Sequence, residues 1–93
     1  PLFIVGDDGL IVRYSGGAWS TLPSGTSRDL FDVFGRSASD LYAVGEQGTI
    51  LHFNGSVWSP MESYVTISLN GVWGDENGKV WVVGDNGLIL HLP

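Results

Sequence analysis

Three stretches of the chain are copies of one phrase. "LFIVGDDGLIVRYSGGAWS" (residues 2–20) is followed by "LYAVGEQGTILHFNGSVWS" (41–59) and by a shorter "VWVVGDNGLILHLP" (80–93). Leu2, Leu41 and Val80 stand 39 residues apart, and the same offset relates Gly6, Gly45 and Gly84, then Gly9, Gly48 and Gly87, then Ile11, Ile50 and Ile89. Between the first two copies it also relates Gly16/Gly55, Trp19/Trp58, Leu30/Leu69, Val33/Val72 and Gly35/Gly74. An ungapped offset held over so many positions means one supersecondary unit repeated, each unit burying its apolar faces against its neighbours.

The unit reads as four short strands. "LFDVFG" and "LNGVWG" make a first strand over Leu30–Gly35 and Leu69–Gly74, and "LYAV" (Leu41–Val44) a second. Consecutive apolar residues in the second strand suit a strand covered on both sides. The tetrads "GDDG", "GEQG" and "GDNG" are tight turns, where glycine and Asp or Asn tolerate the positive φ that such turns demand. "LIVRY", "TILHF" and "LILHL", rich in β-branched and aromatic residues, form the third strand, and a second turn leads to a short fourth strand carrying Trp19 or Trp58. No apolar pattern with a helical period persists for three turns.

Four antiparallel strands every 39 residues predict an all-β chain of β-propeller blades. The divisions are a partial blade over 1–29, a full blade over 30–68 and a partial blade over 69–93. The ring in one chain is incomplete, which leaves two apolar blade faces and unpaired strand edges to be covered. Other copies of the same chain, closing a cyclic homo-oligomer, or further blades of a longer polypeptide would cover them.

Composition narrows the function. Four Lys+Arg against ten Asp+Glu give a net charge of −6 and no basic patch, which argues against a nucleic-acid partner. The apolar runs are too short for a membrane span. With no cysteine and two histidines, no thiolate chemistry and no structural zinc site are expected. No cofactor is called for. The acidic turns offer one or two oxygens each where calcium needs six to eight, so turn chemistry accounts for them better. No nucleophile lies beside a base in sequence, and the pairs Asp7/Asp8 and Asp75/Glu76 lie in turns open to water, so catalysis is not expected.

Candidate ligand contacts are the tryptophans of the fourth strands, Trp19 and Trp58, and the repeat position held by Arg13, His52 and His91. Exposed tryptophan between blades can stack a sugar, but large aromatics mainly supply buried area, and Phe3, Phe34, Tyr42, Trp73 and Trp81 on inner strands have that use. The histidines fit interior or rim residues hydrogen-bonded to nearby backbone. Arginine at the same position in the first copy speaks against a metal ligand there.

"LNGVWG…VWVVGDNGLILHLP", with "FNGSVWSPM" in the preceding unit, resembles a repeat of bacterial β-propellers built from serial copies of "GVWG…VWAVGDNGTILHYDGSSW". That family is loosely related to sialidase-like Asp-box repeats and to photosystem II assembly-factor propellers. The resemblance spans essentially the whole chain. It implies a propeller fold and a secreted or cell-surface scaffold or interaction module. The Asp-box pattern itself, Ser-x-Asp-x-Gly-x-Thr-Trp, is not met, because Gly precedes Asp and the Trp belongs to another strand. "YSGGAW" and "FNGSVW" are loosely similar to hairpins of two-blade fucose-binding lectins that assemble as trimers, which adds glycan or protein ligands to the expected partners. Those lectins carry an Arg and a Glu at each site, and neither recurs across the copies here.

Overall fold

The computed structural model describes residues 2–92. These form ten strands in three antiparallel sheets, with no α-helix among them. The first sheet holds β1 (Leu2–Val5), β2 (Ile11–Ser15) and β3 (Ala18–Thr21) in that order. The central sheet holds β4 (Leu30–Ser37), β5 (Asp40–Gly45), β6 (Ile50–Phe53) and β7 (Trp58–Met61). The third holds β8 (Leu69–Gly74), β9 (Val80–Gly84) and β10 (Ile89–Leu92). Each sheet is a meander of neighbours in sequence, as short turns between antiparallel strands require.

The turns after β1, β5 and β9 are superposable devices. Each is a single 3₁₀ turn with one residue in the left-handed region: Asp8 (φ 59°), Gln47 (φ 56°) and Asn86 (φ 61°). Asp and Asn accept that region readily, whereas Gln does so at a small cost. The next residue is glycine for two reasons. Gly9 and Gly48 have φ of +75° and +73°, and a Cβ on either would lie within 2.0 Å of a carbonyl oxygen, Thr26 O or Val65 O. The segment entering the next sheet therefore runs directly against the turn. Ser24 and Ser63, at one repeat position, stitch those segments: Ser24 Oγ donates to Thr26 O at 3.1 Å, and Ser63 Oγ donates to Gly48 O at 2.7 Å.

Two cores lie between sheets. In the first, Phe3, Val5 and Ile11 of the first sheet pack on Leu41, Ala43, Leu51, Phe53 and Trp58 of the central one. In the second, Tyr42, Val44 and Ile50 of the central sheet pack with Val80, Val82 and Leu92 of the third. Register explains the division: Tyr42 pairs with His52 and Val44 with Ile50, so alternate residues of one hairpin serve opposite cores. The central sheet is buried on both sides, and its consecutive apolar residues follow from that.

Polar bonds add to the joints. Leu30 N donates to Gly6 O at 3.0 Å, and Asp8 N to Asp29 Oδ1 at 2.9 Å, between first and central sheets. Between central and third, Val72 N donates to Asp32 Oδ2 at 2.9 Å. The outer faces have no such cover. At one repeat position Ile11 and Ile50 are 0% and 1% exposed while Ile89 is 64% exposed. At another, Trp58 is 7% and Trp19 55% exposed. Among the described residues no helix is long and apolar enough to cross a membrane.

Candidate functional site

The repeat position of Arg13, His52 and His91 lies on β2, β6 and β10, directly across the ladder from Phe3, Tyr42 and Trp81. Opposite residues of a ladder share a face, so each sheet presents an aromatic ring beside a nitrogen base. Tyr42 and His52 stack with ring centroids 4.8 Å apart, and Trp81 and His91 with 5.2 Å.

His52 belongs to the most connected polar group, which centres on Arg36 and Asp40. Its Nε2 lies 2.7 Å from Asp40 Oδ1. Since a carboxylate only accepts, Nε2 carries the proton in that bond. Arg36 Nε donates to Asp40 Oδ2 at 2.7 Å, Nη2 donates to the Tyr42 hydroxyl at 3.1 Å, and Nη1 donates to Gly78 O in the turn between β8 and β9. Its guanidinium also sits 5.5 Å from the Tyr42 ring centroid, within cation–π range. Burial pushes the Asp40 carboxyl up, but the hydrogen bonds from His52 and Arg36, with their charges, outweigh it and hold Asp40 below the usual carboxylate value. The bond to Asp40 is the main reason that Arg36 is held above its ordinary value. The His52 partner is thus a side-chain carboxylate rather than backbone.

The bonds of this group clamp the central sheet to the turn between β8 and β9. Both Asp40 oxygens are engaged, the Tyr42 hydroxyl is held by Arg36, and no Ser or Thr hydroxyl bonds to His52 among the described residues. No cluster of three or more metal-ligating side chains occurs among the described residues.

The third sheet repeats the geometry with other chemistry. Asp75 stands where the central sheet has Arg36, and it accepts from Trp81 Nε1 at 3.0 Å, Asn77 N at 2.8 Å and Lys79 N at 3.1 Å. The Trp81 bond is the main reason that the Asp75 carboxyl lies below its usual value. Asp75, expected to be an open turn carboxylate, is a turn-organising one. His91 is exposed beside Trp81. In the first sheet, Arg13 has its Nε buried without a hydrogen-bond partner.

The four-strand tryptophans part company. Trp58 is enclosed, its rings 5.1 Å from Phe53 and 6.1 Å from Phe3, with Nε1 unpartnered. Trp19 lies open, its ring 4.8 Å from Tyr14. The structure therefore does not gather Trp19, Trp58, Arg13, His52 and His91 into one site; they lie on successive faces of three sheets.

A groove of about 440 Å³ runs between the segments 24–28 and 60–66, over the turn at Gln47 and Gly48. Tyr64 stands at its rim, almost wholly exposed, with φ of +63°. The repeat held a signal for it, because Tyr64 occupies the position of Gly25, whose φ is +81°. Arg36, Asp40 and Asp32 carried no recurrent signal, since their counterparts 39 residues on are Asp75, Lys79 and Gly71. No protein-family model, no curated protein and no solved structure matches the chain.

Proposed function

We propose that the chain is a segment of a β-propeller, acting as a non-enzymatic scaffold or binding module whose ring is completed by further blades. Other copies of the chain or a longer polypeptide would supply them. The observation that carries this reading is the equivalence of the two joints. Phe3, Val5 and Ile11 meet the central sheet with the repeat positions that Tyr42, Val44 and Ile50 use to meet the third. One joint, used twice, is the rule by which blades are added in a propeller.

Nuclear Overhauser contacts test the stacking within one chain. Protons of the Phe3 ring should report on the Trp58 indole, whose centroid is 6.1 Å away, and those of Tyr42 on the Leu92 methyls. Sheets that do not contact one another in solution would end the proposal.

A second reading, a carbohydrate-binding propeller, draws on the open Tyr14–Trp19 pair, since an exposed aromatic platform suits the apolar face of a sugar. A glycan array scored beside a Trp19→Ala variant tests it, and binding indifferent to that change removes Trp19 from the site.

A further inference from the structure

The two open faces of the molecule are the two halves of its internal joint. The outgoing half consists of an aromatic residue, Val, Ile and a nitrogen base: Phe3, Val5, Ile11 and Arg13 in the first sheet, and Tyr42, Val44, Ile50 and His52 in the central one. The apolar members of both sets pack against the next sheet. The third sheet carries the same half as Trp81, Val83, Ile89 and His91, and here Ile89 is open. Its turn is open too: no atom lies within 4 Å of where a Cβ on Gly87 would stand, whereas Gly9 and Gly48 are covered.

The incoming half is present, uncovered, on the opposite side. In the central sheet it is Leu41, Ala43, Leu51, Phe53 and Trp58, which receive Phe3, with Leu30 and Val33 of β4 beside them. The first sheet carries the counterparts of the first five, Leu2, Ile4, Val12, Tyr14 and Trp19, and among the described residues no strand equivalent to β4. Leu2 is 54% exposed where Leu41 is 5%. Tyr14 and Trp19 hold the same aromatic pairing as Phe53 and Trp58, at 4.8 Å against 5.1 Å.

We infer that the occupant of each open face is a second copy of this chain, joined head to tail, with Trp81 of one copy seated on the Tyr14–Trp19 pair of the next. The inference rests on the blade reading above and adds the partner and its polarity. The ground for choosing a copy is continuity with the internal joints, where the same residue positions already form the buried contact twice. Such a joint is heterologous, because two unlike surfaces meet, so copies add in one direction and close as a ring or extend as a fibre. An isologous dimer would instead pair like with like and leave one face of each copy open.

Charged variants on exposed positions separate these cases without touching either internal core. Ile89→Asp blocks the outgoing face, and Trp19→Asp blocks the incoming one, with Leu2→Glu as a second block on the same side. Light scattering after size exclusion gives the mass, and circular dichroism confirms that each variant keeps its strands. The wild type should assemble at about 100 μM or below, a concentration typical of weak specific contacts. Each variant alone should be a monomer, and Ile89→Asp mixed with Trp19→Asp should give a one-to-one dimer through the single intact joint.

Assembly of either variant alone would overturn the head-to-tail joint. A wild-type chain that remains monomeric while keeping the Phe3–Trp58 contact would overturn the second copy as occupant and leave the blade reading standing. Loss of the Phe3–Trp58 contact would instead strike that reading.

Discussion

Asp32 on β4 joins two sheets: its Oδ2 accepts the backbone N–H of Val72 on β8 at 2.9 Å while Oδ1 accepts the N–H of Val33 at 3.0 Å. The register explains why a side chain is needed there. Pairing of β4 with β5 slips between Leu30 and Asp32, and pairing of β8 with β9 slips between Leu69 and Gly71. Such bulges free backbone donors from the ladder, and an unpaired donor in a partly buried joint is costly.

Asp32→Ala should therefore destabilise the chain by about 1–3 kcal/mol, the usual penalty for stranding a buried donor. Asp32→Asn keeps one acceptor oxygen and should lose less. Urea denaturation followed by tryptophan fluorescence measures both, and equal stability of all three proteins would refute the bridging role.

The Arg36–Asp40–His52 group predicts an acid response. Because Asp40 is held below its usual value in the fold, it stabilises the folded state above the unfolded carboxylate value of about 3.9. That contribution fades as pH falls through the lower folded value. Asp40→Asn should cost about 0.5–1 kcal/mol near neutrality, the scale for a partly exposed pair after solvent screening. The difference from wild type should shrink in thermal melts as pH falls through the lowered folded value. A gap that persists undiminished into strong acid would show that Asp40 acts by packing rather than by charge.

A matched pair of glycines separates backbone strain from contact. Gly48 and Gly87 have φ of +73° and +75°, so alanine suffers the same left-handed strain at both, about 1–2 kcal/mol. Only Gly48 has a carbonyl, that of Val65, in the way of a Cβ. Gly48→Ala should lower the melting temperature well beyond Gly87→Ala. This comparison applies to the dispersed chain, since a neighbour seated on the Gly87 turn would add contact there.

Tyr64 is strained and can be relieved. With φ of +63° it occupies a conformation that its counterpart Gly25 adopts freely. Tyr64→Gly should stabilise the fold by about 0.5–1 kcal/mol, the left-handed penalty less the added entropy of the unfolded glycine. Chemical denaturation decides it. A loss of stability would mean that the exposed ring makes a contact outweighing its backbone cost.

The strands and the turns between them were legible from residues alone, because alternation, turn glycines and β-branched runs act locally. The period made the joints legible as well: 39-residue spacing implies faces that must be matched. Which tryptophan would be enclosed was not legible, since Trp19 and Trp58 stand in nearly the same phrase and differ only in having a sheet against them. The polar links were hidden for a related reason. Asp32, Arg36 and Asp40 do not recur 39 residues on, and each bonds to partners that folding brings near, at Val72, Gly78 and His52.

The amino-acid order by itself determined that strands form, where they turn and that their apolar faces need cover, because these depend on short-range sterics and side-chain periodicity. Only the tertiary structure decided which faces are covered, which ring stands open and which carboxylate bridges two sheets. Those outcomes depend on neighbours distant along the chain, and chemically similar residues acquire different energies when one is covered and the other meets water.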